Sequence, residues 1–249
     1  MASDNPDFFL SLVTFRMKRQ FDPAEPELMD LPQPVTTELE VDLQNLRQLN
    51  RFFGGHALVF RFLREWIRPG RSLRVLDLGT GSGDLPRLVV DHARNIGAKV
   101  EVAAVDQQTS TLEIAQRLSA DYPEIIYRQG NILEWQDDDG YDIVLCTLAV
   151  HHFSEEDAVC LLRRCRKLSH GCVLVSDLRR GLLATLGVYL LTAIIFRAPM
   201  TQADGRASTR RAFSFEELRS LAKRAGWQNF HHRKFRFARQ AVWMDRDEH

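Results

Sequence analysis

The residues best suited to chemistry form a glycine-rich loop that follows a short hydrophobic stretch. Residues 75–84 read VLDLGTGSGD, with glycine at every second position from 79 to 83. Glycine allows the backbone to turn sharply and to approach a bound ligand closely. The spacing differs from the G-x-G-x-x-G pattern that seats a pyrophosphate on a helix N-terminus, and Asp84 at the start of the next helix would repel that group. Together with Asp77, Asp84 favours a cationic ligand with an amino-acid head.

A third acidic residue, Asp106, follows the second predicted strand. The hydrophobic residues 102–105 end in Asp106, 23 residues after Gly83. A carboxylate at the tip of the second strand of an α/β fold can accept hydrogen bonds from both hydroxyls of a ribose. The glycine loop and Asp106 together indicate an adenosine-containing ligand.

Alternating hydrophobic segments predict the elements that position these residues. Strands are expected at 73–78, 100–105, 125–129, 141–148 and 172–177, with helices at 85–95, 109–120 and 155–168. Strands that alternate with helices form a parallel sheet covered by helices on both faces. A capped helix at 214–225 and two adjacent strands at 230–237 and 240–244 follow, and the short link makes these strands antiparallel. The predicted fold is α/β: a doubly wound, mostly parallel seven-stranded sheet with an antiparallel C-terminal hairpin strand and a helical N-terminal cap.

Two further segments flank and interrupt the main domain. Residues 1–37 contain five of the nine prolines and are expected to form an irregular arm laid across the rest, followed by two amphipathic helices up to residue 70. Residues 71–249 form the main domain, with an inserted segment at 180–212. The fifteen residues 182–196 carry no charge, but a bilayer span needs about 18. They form either a buried structural cap or an apolar lid over a hydrophobic substrate, and peripheral membrane contact is a further alternative.

Four successive motifs resemble those of class I S-adenosylmethionine-dependent methyltransferases. They read VLDLGTGSGD, VAAVDQQTSTLEIAQ, QGNIL and YDIVLCTLAVHHF, and their order and spacing match over residues 40–245. The chain looks like the bacterial small-molecule enzymes of the ubiquinone and menaquinone biosynthesis type. The paired N-terminal helices, which end in NRFFGG at 50–55, resemble a subgroup that modifies polyketide-like or phenolic metabolites.

The resemblance implies that S-adenosylmethionine is the cofactor, and it assigns residues to each part of that molecule. Asp106 would hold the ribose, Gln107 would lie against the adenine, and Asn131 and Ile132 would lie at the adenine edge. The family usually has aspartate at position 131; the amide oxygen of Asn131 can still face the exocyclic amine, without the help of a charge. Cys146 and Thr147 would lie near the amino group of the cofactor. The methionine part would be surrounded by Asp77, Gly79, Thr80, Gly81 and Gly83.

The resemblance also places two adjacent histidines, His151 and His152, beside the transferred methyl group. A hydroxyl acceptor must lose a proton, and histidine, with an ordinary pKa of about 6.5, suits that task at neutral pH. Asp177, at the end of the fifth strand, is expected to hold the ring. Because neighbours on an extended chain point in opposite directions, we expect only His151 to face the ligand. In the alternative, both histidines merely position or pack; a metal site is disfavoured, because adjacent histidines cannot easily share one ion.

Composition limits the classes of function. The 249 residues include 45% hydrophobic residues and equal numbers of basic and acidic residues, 33 of each, which excludes a strongly DNA-coating protein. The charge is uneven: residues 1–50 carry a balance of −5 and residues 201–249 a balance of +5. These segments are either two faces that attract each other or a basic lip for an anionic or nucleic-acid partner.

The compartment is predicted from the cysteines and the N-terminus. The four cysteines show no CxxC spacing and are expected to be reduced thiols of a cytoplasmic protein; they are Cys146, Cys160, Cys165 and Cys172. The first residues lack the basic start and the long apolar middle of a signal peptide.

The sequence therefore predicts a cytoplasmic enzyme of secondary metabolism that methylates a small aromatic or apolar metabolite at oxygen and releases S-adenosylhomocysteine. A nucleic-acid partner is not expected, although action on RNA or protein through the basic C-terminal segment is the alternative. A nucleobase amino-methyltransferase is disfavoured because TLAV stands at 147–150 in place of a Pro-Pro-aromatic segment. The glycine spacing disfavours an NAD-dependent oxidoreductase, and a non-catalytic cofactor-binding protein is a third class.

Overall fold

The computed structural model describes residues 17–194, 196 and 198–245, so the prediction about a signal peptide lies outside the described residues. Within them the chain forms eight α-helices and seven strands. The helices are α1 (Thr37–Phe52), α2 (Gly55–Trp66), α3 (Asp84–Ile96), α4 (Thr109–Leu118), α5 (Glu155–Leu168), α6 (Leu182–Ile194), α7 (Pro199–Arg211) and α8 (Phe215–Arg224). The strands are β1 (Ser72–Leu78), β2 (Lys99–Asp106), β3 (Ile125–Gln129), β4 (Tyr141–Thr147), β5 (Ser169–Leu178), β6 (His231–Phe235) and β7 (Arg239–Met244).

The seven strands form one sheet in the order β3-β2-β1-β4-β5-β7-β6. Strands β1 to β5 pair in parallel, whereas β7 runs antiparallel to both β5 and β6. The predicted fold class is confirmed. The strand order reverses between β1 and β4, and ligands of open α/β sheets bind outside the carboxyl ends of the strands at such a reversal.

Successive residues of the buried strands point to opposite faces of the sheet and build two cores. On one face Leu76 belongs to a cluster that includes Leu161 of α5. On the other face Val75 packs in a cluster with Phe62 of α2 and Val89 of α3. The cap helix α2 therefore shares a core with the sheet, which fixes its position relative to the glycine loop.

The inserted segment 180–212 contains two helices, of which the first covers most of the uncharged residues 182–196. Helix α6 ends at Ile194, and Pro199 occupies the first turn of α7, where a missing backbone N–H costs nothing. The sequence analysis did not predict α7, because its mixed polar residues show no hydrophobic stripe. No helix in the described part of the chain is long and apolar enough to cross a membrane.

Candidate active site

The loop between β1 and α3 is held in a conformation that requires glycine. Gly79 and Gly83 have φ values of +75° and +71°, in the left-handed region that other residues rarely adopt. A Cβ atom at Gly83 would lie only 2.0 Å from Tyr127 Oη. The N–H groups of Gly79 and Thr80 both donate to the carbonyl oxygen of Val105, at 2.9 and 3.0 Å. The loop is therefore tied to the end of β2 at the predicted ligand site.

Asp77 is a buried carboxylate with one oxygen unsatisfied. Thr80 Oγ1 donates to its Oδ2 at 2.7 Å, whereas Oδ1 has no hydrogen-bond partner within the described residues. Burial, assisted by the nearby carboxylates of Asp84 and Asp106, raises the pKa of Asp77 to about 7. A buried polar atom without a partner is costly. A cationic ligand group beside this loop would satisfy it.

Asp106 lies at the end of β2 and contacts the glycine loop. Its Oδ2 accepts a hydrogen bond from the N–H of Gly81 at 2.9 Å, and its Oδ1 accepts one from the N–H of Gln108 at 3.1 Å. Burial raises its pKa, and these two backbone hydrogen bonds oppose the rise. Each carboxylate oxygen keeps a further lone pair, so the group can still accept hydrogen bonds from a ribose.

The other residues predicted to bind the cofactor differ in their exposure and in whether they line the cavity. Gln107 and Asn131 are exposed, and Ile132 is buried close to the glycine loop. Thr147 lines the large cavity described below. The side chain of Cys146 is buried in the hydrophobic core, so this residue reaches the cavity at most through its backbone.

His151 and Asp177 are brought together as the sequence predicted. Nδ1 of His151 lies 2.6 Å from Oδ1 of Asp177, and the backbone N–H of His151 donates to Oδ2 at 2.9 Å. Both residues are nearly fully buried. Burial alone would raise the pKa of Asp177, but the contact with His151 outweighs it and the pKa lies below its ordinary value. With Nδ1 bound to a carboxylate, the lone pair of a neutral His151 ring is on Nε2.

His152 lies beside His151 rather than opposite to it. Both belong to a 3₁₀ turn, Val150–His152, their ring centroids are 4.3 Å apart, and both line the cavity. The expectation that a single histidine faces the site assumed an extended chain, whereas side chains on a 3₁₀ turn are separated by about 120°. Nδ1 of His152 lies 2.6 Å from Oδ2 of Asp30. Burial would lower the pKa of His152, but Glu27 and Asp30 raise it to about 10.

Glu27 is an acidic residue of the N-terminal arm that the sequence analysis did not assign to the site. It is 3% exposed. The hydroxyl of Ser208 lies 2.9 and 3.0 Å from the two carboxylate oxygens of Glu27, as a hydrogen-bond donor to this group. Its Oε1 lies 3.8 Å from Nε2 of His151, and its Oε2 lies 3.9 Å from Nε2 of His152. Arg211 Nη1 is 4.0 Å from Oε1. Glu27 thus links the arm to the histidine pair and to α7.

The arm lies across the main domain, as its prolines suggested. Nη2 of Arg19 donates to the carbonyl oxygens of His151 and Phe153 at 3.1 and 2.6 Å. The N–H groups of Leu28 and Met29 donate to the carboxylate of Asp204 on α7 at 2.7 and 3.0 Å. The contact between Glu27 and Arg211 shows that the acidic N-terminal and basic C-terminal segments meet. That charge asymmetry was the one sequence signal that pointed to Glu27.

A cavity of about 1050 Å³ connects the glycine loop to the two histidines. Its lining includes Gly79 and Thr80 of the glycine loop and both His151 and His152. Much of its wall is apolar and comes from α1, α6 and the turn before β7, including Leu43, Leu46, Phe53, Val188, Leu191 and Phe237. Helix α6 therefore forms part of the cavity wall, while its outer residues Leu186 and Leu190 are exposed.

The class of protein follows from this fold, from the loop and from the sequence profile that the chain matches. Residues 75–170 match the family profile described as a methyltransferase domain. These residues are therefore a methyltransferase domain, and the chain has the class I fold of S-adenosylmethionine-dependent methyltransferases that its motifs resemble.

Individual relatives are similar over different parts of the chain. Over 81 residues the chain is 35% identical to the 2-phytyl-1,4-naphtoquinone methyltransferase of Thermosynechococcus vestitus, a match that covers 32% of this chain and 35% of that protein. The apo structure of the S-adenosylmethionine-dependent methyltransferase SibL has a TM-score of 0.56 at 20% identity, over 80% of this chain and 56% of that one. Magnesium protoporphyrin IX methyltransferase of Synechocystis PCC 6803, solved with bound S-adenosylhomocysteine, has a TM-score of 0.54 at 17% identity, over 88% and 91%. The matched part is about a third of the curated relative, and the likeness to the solved structures concerns the fold.

S-adenosylmethionine is the cofactor of this class, and the residues at the ends of β1 and β2 fit it. The molecule carries a cationic amino group and a sulfonium, and the unpartnered Oδ1 of Asp77 is a buried acceptor beside the loop. Asp106 presents a carboxylate at the end of β2, where the sequence analysis expects the ribose. These residues would hold the cofactor beside the glycine loop, and Gly79, Thr80 and Gly81 of that loop line the cavity.

Proposed function

We propose that the protein transfers a methyl group from S-adenosylmethionine to an oxygen atom of a small, apolar or aromatic molecule. The observation that carries this proposal is a single cavity that joins the glycine loop to a histidine held by Asp177. When bound, S-adenosylmethionine supplies a methyl group activated on a sulfonium. The residues of the chain bind the cofactor, align the acceptor, exclude water and receive a proton.

The cavity favours a small molecule with a large apolar part. Its volume of about 1050 Å³ lies just above the usual range for ligand pockets, which is about 300–1,000 Å³. Its apolar walls would bury a ring or a hydrocarbon chain. The curated relative, which is named for a phytyl-substituted naphtoquinone, supports an acceptor of that kind.

His151 is proposed as the base that receives the proton. Asp177 holds Nδ1, so the lone pair on Nε2 can accept the hydroxyl proton of an acceptor in the cavity. Nε2 of His151 would take up the proton of the hydroxyl as the acceptor oxygen receives the methyl group that S-adenosylmethionine supplies. The products are the methylated acceptor and S-adenosylhomocysteine. Asp177 stabilises the resulting imidazolium.

The alternative acceptors, RNA and protein, receive less support from the basic C-terminal segment. Two of its arginines are buried and are not part of an outer basic surface. Arg239 lines the cavity, and Arg211 contacts Glu27, which also lines it. We also propose the cytoplasm as the compartment, because none of the four cysteines, all of which lie in the described ranges, forms a disulfide.

A methyl-tracing experiment tests this proposal. The purified chain is incubated with methyl-labelled S-adenosylmethionine and cell extract, and the products are separated into organic-solvent, RNA and protein fractions. We expect label in the organic-solvent fraction, lost with His151→Ala and retained with the control His231→Ala at an exposed position. Label in the RNA or protein fraction would overturn the small-molecule acceptor, and a folded protein that labels no fraction would overturn methyl transfer.

A further inference from the structure

We propose that Glu27, His151 and His152 together bind a divalent metal ion. One carboxylate oxygen and one ring nitrogen from each histidine lie within 4.8 Å of one another. The three side chains come from the N-terminal arm and from the turn after β4, which the fold brings together. The inference goes beyond the proposed methyl transfer, because it assigns a ligand to this cluster that neither the cofactor nor the acceptor supplies.

The hydrogen bonds of the two histidines orient them as metal ligands. Nδ1 of His151 is bound to Asp177 and Nδ1 of His152 to Asp30, each at 2.6 Å. A carboxylate at Nδ1 fixes the ring and leaves the Nε2 lone pair for a metal, which is the usual arrangement around protein metal sites. Both Nε2 atoms face the carboxylate of Glu27, at 3.8 and 3.9 Å.

The three ligand atoms are somewhat farther apart than those of a small tetrahedral ion. Bonds of about 2.0–2.2 Å from zinc to nitrogen and oxygen place neighbouring ligand atoms of a tetrahedral site about 3.3–3.6 Å apart. The separations of 3.8 and 3.9 Å run from the two ring nitrogens to different oxygens of Glu27, and the three ligand atoms lie within 4.8 Å of one another, so the side chains would close by up to about 1 Å around an ion. Two histidines and one glutamate leave the fourth position open, as in catalytic zinc sites. All three residues line the cavity, so that position faces it.

The excess of carboxylates around the histidine pair also favours a bound cation. Glu27, Asp30 and Asp177 contribute three carboxylates around the histidine pair, two of them nearly fully buried. Among the described residues, Arg211 is the only lysine or arginine within 4.0 Å of any of these carboxylates. A divalent ion with neutral imidazoles balances the remaining two charges. Two imidazolium rings would give the same balance, and they are the competing interpretation that the experiment must separate.

The sequence argument against a metal is that adjacent histidines cannot easily share one ion. Adjacent histidines on an extended strand point apart, but the 3₁₀ turn places both rings on one side of the chain. A metal at this position would hold the Nε2 lone pair of His151. Metal binding and the proposed proton transfer to His151 therefore exclude each other on a single molecule.

The test measures metal binding directly. The full chain, dialysed against a chelator, is titrated with Zn²⁺ by calorimetry and with Co²⁺ by visible absorption. We expect one ion per chain and the intense visible bands of tetrahedral Co²⁺ with nitrogen and oxygen ligands. Glu27→Gln and His152→Asn should weaken binding at least about 100-fold, and Asp30→Asn, which acts through His152, about 10-fold. Glu25→Gln, at an exposed position of the same arm, is the matched control and should bind as the unchanged chain does.

Each result either supports the site or removes it. Absence of Zn²⁺ binding by the folded chain, or equal binding by the Glu27→Gln and Glu25→Gln variants, would overturn the proposal in favour of a protonated histidine pair. If Glu27→Gln does not fold, the Co²⁺ spectrum of the unchanged chain and the Asp30→Asn variant still decide the question. The binding measurement uses no methyl donor, so its failure is distinct from a failure of the methyl-tracing experiment.

Discussion

The hydroxyl of Thr80 donates a 2.7 Å hydrogen bond to Oδ2 of Asp77, while Oδ1 of the same buried carboxylate has no hydrogen-bond partner within the described residues. Burial, with Asp84 and Asp106 nearby, raises the pKa of Asp77 to about 7. In the cofactor-free protein this group is therefore partly protonated at neutral pH, and a cationic ligand would favour its ionised form.

We expect S-adenosylmethionine binding to release a proton from Asp77 near neutral pH. Below pH 7 the proton must leave before the cation can pair with the carboxylate, so affinity should fall by up to about tenfold per pH unit. Calorimetry at pH 6.5 in two buffers of different ionisation enthalpy measures the released protons. With Asp77→Asn the buffer dependence should disappear; a dependence that persists in this variant would place the titrating group elsewhere.

Asp106 is expected to act on cofactor binding rather than on the chemical step. Asp106→Ala removes the proposed ribose acceptor and the hydrogen bond from the Gly81 N–H that holds the loop. Hydrogen bonds to a charged group contribute about 1.5–3 kcal/mol each, so the dissociation constant should rise by about 100-fold. Calorimetric titration with S-adenosylhomocysteine measures this change. Asp121→Ala, at an exposed position, is the control, and equal affinities for the two variants would contradict the role of Asp106.

Variants of His151 and Asp177 should change kcat and leave cofactor affinity nearly unchanged, the reverse of what we expect for Asp106. General base catalysis contributes about 10²–10⁴-fold, so His151→Ala should lower kcat by that range while the affinity for the cofactor changes by less than about twofold. Asp177→Asn should also lower kcat, because an amide can present a donor to Nδ1 and reverse the tautomer. Single-turnover rates and cofactor titrations measure the two quantities. Unchanged turnover in His151→Ala would contradict its role as a base. Catalysis would then come from holding the acceptor close to the methyl donor.

The fold and the glycine loop could be predicted because their signals are local. Nearly continuous hydrophobic runs, with neighbours such as Val75 and Leu76 packed in opposite cores, identify strands buried on both faces. The topology of parallel strands then brings the loop, Asp106 and Asp177 to one edge. The glycines could be read in the same way, since a positive φ at Gly83 leaves few other residue types possible.

The rest of the site depends on contacts between distant segments. Glu27 and Asp30 lie in an arm without hydrophobic periodicity, more than 120 residues before the histidines that they contact, so no spacing rule connects them. The orientation of His152 depends on a 3₁₀ turn, Val150–His152, whose three residues are too few to give a periodic signal. Opposite charge in the two terminal segments was the sole indication, and it does not identify individual residues.

A histidine outside the site should make the stability of the fold depend on pH. The ring of His232 on β6 stacks on Phe215 at 3.7 Å between centroids, and burial, assisted by Arg219 and Lys234, lowers its pKa to about 4. In the unfolded chain histidine keeps a pKa of about 6.5, so as the pH falls from 6.5 toward 4 the unfolded state binds the proton first and the folded state loses stability. Allowing for solvent screening at this partly exposed site, we expect a contribution of about 1 kcal/mol.

The variant His232→Phe keeps a ring beside Phe215 and cannot titrate, so it isolates this contribution. Urea unfolding at pH 7 and at pH 4.5 should show the variant gaining about 1 kcal/mol relative to the unchanged chain at the lower pH, since carboxylates that titrate in both proteins cancel in the comparison. His231→Phe, at the exposed neighbouring position, should show no such gain. An equal pH response in His232→Phe and the unchanged chain would contradict this prediction. It would mean that the pKa of His232 is the same in the folded and unfolded states, so that the stacked ring accepts a proton as readily as an exposed one.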